Sequence, residues 1–215
     1  SACPGSSASA AGFTDTTSTD VDCIKMYGIT TGKTATTYDP SGTVSRQDMA
    51  RFIHRMFVPA GVAAAGAVAL PVFTDTAHVE ADGLAAINAL ASHGITTGLT
   101  TTTFSPDTNV TRAQMAAFLN RFANIAKDHA GAAIATIAIA SQDGAYNYSD
   151  IGTTTGEEKE SIIRLFNIGV TEGTCTAGAA STCSSTYRPA DDITRAEMAS
   201  MLVNLLNHTN ARPAG

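Results

Sequence analysis

The sequence predicts a mainly α fold assembled from three copies of one unit, and three observations carry that prediction. The first is a recurring stretch: Val44–Arg55 reads VSRQDMARFIHR, Val110–Arg121 reads VTRAQMAAFLNR, and Ile193–Asn204 reads ITRAEMASMLVN. The second is its apolar spacing. Three, six, seven and ten residues after each Arg stand Met49/Phe52/Ile53/Met56, Met115/Phe118/Leu119/Phe122 and Met198/Met201/Leu202/Leu205, which is one stripe of an α-helix. The third is a shared start signal. Ser45, Thr111 and Thr194 are placed as N-caps, and Asp48, Gln114 and Glu197 three residues on can close a capping box, fully in the two Thr copies and more loosely with Asp. An Ala four residues after each Arg (Ala50, Ala116, Ala199) allows close helix approach, so the three helices are expected to bury their apolar faces against one another.

At 215 residues the chain can bury a full core. The repetition divides it into an extended leader (1–12), units at 13–59, 73–124 and 148–207, and a linker-like tail (208–215). The net charge of −6, with no run of Lys or Arg, argues against nucleic acid and anionic membrane as partners. No apolar run is long enough to cross a bilayer. The start SACPGSSASAAG reads as a mature N-terminus after cleavage, so the protein is expected to be exported, as one part of a longer polypeptide.

In chain order, the units open on Phe13-Thr14-Asp15, Phe73-Thr74-Asp75 and Tyr148-Ser149-Asp150: an aromatic anchor, a hydroxyl and a carboxylate, a suitable start for a turn. A short amphipathic helix follows, with Val21/Ile24, Ile87/Leu90 and Ile162/Leu165 placed seven and four residues before Gly28, Gly94 and Gly169. Each of these Gly suits a left-handed C′ position. Next come Ile29-Thr-Thr-Gly32, Ile95-Thr-Thr-Gly98 and Val170-Thr-Glu-Gly173, in which the β-branched residue plugs the core and the second Gly permits a tight turn. The loops end in Tyr38-Asp39-Pro40, Phe104-Ser105-Pro106 and Tyr187-Arg188-Pro189, short extended segments leading into the capped helix.

Four Cys fit an oxidising compartment. Cys3 in the leader is expected to pair with Cys23 on the first short helix, the alternative being two free thiols. The third unit carries eight extra residues around Cys175 and Cys183, and a local disulfide closing that insertion is the simplest account. The linkers are 58–72 and 125–147. The apolar run AGAAIATIAIA in the second is compatible with a buried strand or with an extension of the preceding helix.

Arg46, Arg112 and Arg195 stand out, because the first turn of a helix disfavours positive charge by about 0.3–1 kcal/mol. Three Arg at that one position suggest guanidiniums set beside free helix N–H groups, a combination suited to a carboxylate or phosphate. The plainer alternative ties each Arg to a carboxylate of its own unit.

The order of motifs (aromatic-x-Asp, short helix, Gly-Ile-x-x-Gly, aromatic-x-Pro, then [VI]-[ST]-Arg-Ala-[EQ]-Met) resembles the S-layer homology (SLH) domain, whose usual functional unit is three tandem copies. The resemblance spans 13–207. It implies a pseudo-threefold trimer with a central three-helix bundle and loop prongs. It also implies that grooves between prongs bind secondary cell-wall polysaccharide, typically through a ketal-linked pyruvate, and so anchor surface proteins without a covalent bond. Carried over, the glycan-binding residues are Arg46, Arg112 and Arg195; Asp15, Asp75 and Asp150; Thr14, Thr74 and Ser149; and Gly32, Gly98 and Gly173. A pyruvate ketal offers a carboxylate to Arg, while Asp and hydroxyls suit sugar OH groups. The implied partners are bacterial cell-wall polysaccharide and other surface-layer proteins, at the extracellular face of a bacterium, with no cofactor. The sequence departs from the family in lacking Trp, where many members carry a His-Trp pair; His78 is the lone counterpart. The second unit otherwise keeps the pattern best, so grooves using Arg112 are expected to be the most competent. If the grooves have lost glycan, the alternative is a structural protein that contacts protein neighbours.

Other chemistry finds little support. Gly28-Ile-Thr-Thr-Gly32-Lys33-Thr34 is one residue short of a P-loop and lacks its Lys in the other copies. His54, His78, His93, His129 and His208 are scattered, without zinc-ligand spacing. Asp107 and Asp191-Asp192 precede capped helices, and no EF-hand loop accompanies them. No nucleophile–base set is legible, and the chain reads as a binding module rather than an enzyme.

Overall fold

A computed structural model describes residues 2–3, 10–63, 70–128, 131, 134, 148–154, 156–171 and 186–209. Among them lie six α-helices and no β-strand: α1 (Thr19–Met26), α2 (Arg46–Arg55), α3 (Ala81–Ser92), α4 (Arg112–Ala123), α5 (Gly156–Asn167) and α6 (Arg195–Leu206). Gly173, Cys175, Cys183, the apolar run from 135 onward and the tail beyond 209 lie outside the described residues.

The local signals act as their chemistry requires. Ser45, Thr111 and Thr194 accept the amides of Asp48, Gln114 and Glu197, and the box closes reciprocally at the two Thr copies. The Asp48 carboxylate is instead drawn to Arg51. The short helices end at Gly28, Gly94 and Gly169, with φ of 68°, 69° and 74°. There the amides of Ile29, Ile95 and Val170 return to the carbonyls of Ile24, Leu90 and Leu165 at 2.8–2.9 Å, which closes the helix end with backbone.

The stripe residues are buried, and so are Ala50, Ala116 and Ala199. Their main partners differ from the expectation. The most extensive helix–helix contacts are α2 with α3, α4 with α5 and α6 with α1. Each long helix therefore packs foremost on the short helix of the next segment, and the last pair joins the two ends of the chain. An apolar face on a ten- to twelve-residue helix must be covered by another element, and the short helix of the next segment supplies most of that cover here. Cys3 and Cys23 lie at disulfide distance, Cα–Cα 5.8 Å. Beside them the Ala2 amide donates to Asn207 Oδ1 at 2.7 Å, and the Tyr27 hydroxyl donates to the Ala2 carbonyl at 2.6 Å. The start of the leader is thus clasped to the end of α6.

The segments leading into the long helices bridge one another cyclically: Thr43 with Thr194, Ser45 with Asn109, and Thr111 with Asp192. Each capped helix start is thereby set against the aromatic-x-Pro turn of another segment.

Candidate functional site

Three corners result, each built from an Arg, a turn and the helix that follows the turn. Arg195 meets the Tyr38 turn and α2; Arg46 meets the Phe104 turn and α4; Arg112 meets the Tyr187 turn and α6. In each, Nε donates to the carbonyl of the aromatic residue at 2.6–2.7 Å. The guanidinium carbon lies 4.5–4.9 Å from that aromatic ring, a cation–π distance. The Arg are 3 %, 4 % and 6 % exposed for Arg195, Arg46 and Arg112.

This corrects the expectation of guanidiniums set beside free helix amides. The amides of Arg46 and Gln47 donate to Thr108 and Pro106, those of Arg112 and Ala113 to Asp191 and Pro189, and those of Arg195 and Ala196 to Gly42 and Pro40. A helix start packed into the protein must have its N–H groups satisfied, and the neighbouring turn satisfies them. Nor is each Arg tied to an acid of its own unit. The Arg112 guanidinium pairs with Glu197 at 2.9 Å, across to another segment. Burial lowers the pKa of Arg46, against the pull of Asp75, and its Nη2 has no hydrogen-bond partner among the described residues.

The aspartates hold the turns. Asp15 accepts the amides of Tyr38 (2.9 Å) and Asp39 (2.7 Å), Asp75 those of Phe104 (2.9 Å) and Ser105 (2.7 Å), and Asp150 those of Tyr187 (2.8 Å) and Arg188 (2.7 Å). The second residue of each pair, Asp39, Ser105 or Arg188, has φ of 57–61°. A non-glycine residue in that region needs such support. The Tyr38 and Asp39 amides hold the Asp15 carboxyl below its ordinary range. At Asp75 burial pushes upward, and the Phe104 and Ser105 amides outweigh it, so its pKa is also lowered. Thr14 and Thr74 give both amide and hydroxyl to the Thr36 and Thr102 carbonyls. Ser149 is exposed beside Asp150.

Gly32 and Gly98 both have φ of 89°, and a Cβ there would overlap a Thr carbonyl and come within 2.5–2.6 Å of the Phe13 or Phe73 ring. Both positions are therefore glycine for the sake of the turn.

One corner opens into a cavity of about 190 Å³, at the junction of α2, α3 and the start of α6. Of the expected glycan-binding residues it is lined by Gly32 and Arg195, joined by Lys33, Arg51, Arg55, Asp48 and Asp82. Sequence reasoning missed Arg51, Arg55 and Asp82. The only available signal was that Arg51 and Arg55 are one helical turn apart on the polar side of the α2 stripe. Arg51 bonds Asp82 at 3.1 Å and Asp48 at 3.2 Å, while Arg55 reaches Asp82 at 3.4 Å and the Ile29 carbonyl at 3.2 Å. This cavity is at the Arg195 corner, whereas the best-kept pattern had pointed to Arg112. His78 bonds Asp107 at 2.8 Å on the surface. Among the described residues no cluster of three metal-ligating side chains occurs and no helix is long and apolar enough to cross a membrane.

Compared with known families, residues 72–116 match the S-layer homology domain. That segment contains α3, the Gly98 turn, the Phe104 turn and the first part of α4. The domain is generally a cell-surface anchoring module that binds cell-wall polymers, not a catalyst, and the match suggests a bacterial cell-surface protein. No curated protein matches the sequence.

Proposed function

We propose that the chain is a non-covalent cell-surface anchor: three tandem SLH units in a pseudo-trimer, with α2, α4 and α6 central and the loops as prongs, binding an acidic, pyruvylated secondary cell-wall polysaccharide in the grooves. The observation that carries this reading is the cavity at the Arg195 corner, where four cationic side chains meet two carboxylates in a polar, open site. A carboxylate-bearing sugar suits that balance, since guanidinium forks bind carboxylates bidentately. In this reading Arg195 and Gly32 shape the groove while Asp15 and Thr14 fix its rim. Arg46, Asp75, Thr74 and Gly98, and Arg112, Asp150 and Ser149, hold the matching positions of the other two, with Gly173, outside the described residues, as the third glycine by sequence alone.

The test is co-sedimentation of the purified chain with bacterial sacculi that carry or lack pyruvyl groups. Pelleting only with pyruvylated sacculi is expected. Absence of pelleting with either would overturn the anchoring reading, and equal pelleting would overturn the pyruvate specificity.

A second reading, assembly with protein neighbours, draws on the Arg112 corner, where Glu197 already neutralises the guanidinium. Concentration-dependent light scattering without glycan would support it; a monomer throughout would not.

A further inference from the structure

We propose that the three corners are chemically unequal, and that recognition of a negatively charged sugar is confined to the Arg195 corner, with Lys33 and Arg51 as the residues that select for charge. This rests on the glycan-binding reading above.

Equivalent positions in the three copies carry different residues. Arg55, Arg121 and Asn204 are marked as equivalents by one shared bond, each donating to the carbonyl of the β-branched plug: Ile29 at 3.2 Å, Ile95 at 2.9 Å and Val170 at 3.1 Å. Counting back four residues, the positions matching Arg51 are Ala117 and Ser200. Counting one past the turn glycine, the position matching Lys33 is Leu99 in the second copy. The partner acid on the first turn of the short helix is Asp82, Glu157 or Asp20.

The neighbours of each guanidinium therefore differ. At the Arg195 corner, Lys33, Arg51, Arg55 and Arg195 line the cavity with Asp48 and Asp82, and Glu80 approaches Arg51 at 3.9 Å, so cations outnumber carboxylates by one. Lys33 approaches Asp48 only to 3.8 Å and is 47 % exposed, leaving its ammonium available to a ligand.

At the Arg46 corner, Arg121 is forked onto Glu157 at 2.6 and 2.5 Å, and uncharged Leu99, 59 % exposed, stands where Lys33 does. A bidentate pair of this kind has already used the guanidinium face that would meet an anion.

At the Arg112 corner, Arg112 and Arg188 both bond Glu197, and Ser200 gives its hydroxyl to Asp20 at 2.6 Å. Among the described residues, Arg112 and Arg188 there face Glu197 and Asp191, with Asp20 held by Ser200, and cations are not in excess. A carboxylate ligand would have to displace Glu197 from a 6 % exposed Arg, breaking an ion pair that already neutralises the guanidinium.

The full chain is titrated with methyl 4,6-O-(1-carboxyethylidene)-hexopyranoside, its uncharged parent glycoside and inorganic phosphate, followed by amide chemical shifts. Saturation is expected at one equivalent per chain, with shifts clustered on 30–33 and 48–55 and no response to the parent glycoside. The Lys33→Gln and Arg51→Gln variants should each weaken binding about tenfold. Arg121→Gln and Arg188→Gln should leave it within twofold. Because Arg51 also bonds Asp82, the exposed Lys33→Gln change serves as the variant whose fold is not in question.

Two or three equivalents per chain, or wild-type affinity in both corner variants, would overturn the proposal. So would phosphate binding as tightly as the ketal, which would mark a general anion site. Glycoside binding without pelleting on sacculi would retain the corner and remove the anchoring function. Pelleting that is unaffected by Lys33→Gln and Arg51→Gln would do the reverse.

Discussion

The Arg195 and Arg112 corners share a frame and differ in what surrounds it. In both, the Arg begins a capped helix, its Nε meets the carbonyl of a Tyr, and the Tyr hydroxyl returns to the carbonyl of the same Arg at 2.9–3.0 Å. In both, an Asp from the segment's opening holds the left-handed residue after the Tyr. One corner then adds Lys33, Arg51 and Arg55, and the other adds Glu197, Ser200 and Asp20. The repeated residues thus build the support, while unrepeated residues on the helix faces set the charge. A motif shared by all copies says where a groove can lie, and its variable neighbours decide what the groove accepts.

The largest effect is expected for Gly32→Ala. The residue needs φ of 89°, and its Cβ would meet backbone and the Phe13 ring, so strain and overlap together should cost about 3 kcal/mol or more. Urea denaturation reads this, and a loss under 1 kcal/mol would mean that the turn can relax.

Reduction of the Cys3–Cys23 link comes next. It ties the leader to α1, which covers α6 at the Arg112 corner. A loop of this length predicts a loss of about 3 kcal/mol. The same denaturation curve with and without reductant measures it, and identical midpoints would show that the clasp does not need the bond.

Glu197→Gln keeps an acceptor for the Thr194 amide while removing the charge that faces Arg112. It should destabilise by about 2 kcal/mol and raise the affinity of that corner for the charged glycoside. An unchanged glycoside titration would show that Glu197 is not what closes it.

The smallest effect, and one common to both corners, is with pH. Asp15 at one corner is held below its ordinary pKa by the Tyr38 and Asp39 amides. Glu197 at the other is raised by burial but lowered more by the Thr194 amide and Arg112, and ends below its ordinary range. A carboxyl with a depressed folded pKa stabilises fully above its unfolded value and loses that contribution as pH falls through the folded one. Stability should therefore be level near neutrality and decline from about pH 4 downward. Circular dichroism between pH 7 and 2 follows this, and a decline beginning above pH 6 would place the sensitive groups elsewhere.

Much of the fold was legible in the sequence. The apolar steps after each Arg marked α2, α4 and α6, the Thr-x-x-Gln and Thr-x-x-Glu pairs marked the boxes, and Gly28, Gly94 and Gly169 marked the ends of short helices. All of these depend on interactions within one or two helical turns. The role of Asp15, Asp75 and Asp150 was not legible, because the amides they accept lie 23–38 residues away. The left-handed turn residues were hidden as well, since Asp39, Ser105 and Arg188 share no side-chain chemistry.

Where the helices start and stop, which faces are apolar, and which Arg and Gly recur can be read along the chain, since each follows from short-range backbone geometry and periodicity. The packed fold sets which Arg meets which turn, across separations of 58, 75 and 157 residues. It also decides that the guanidiniums and helix amides are spent on neighbouring carbonyls, and that Lys33, Arg51 and Arg55 gather beside Arg195. Those outcomes depend on which buried donors find acceptors once the faces close, and a linear pattern does not carry that information.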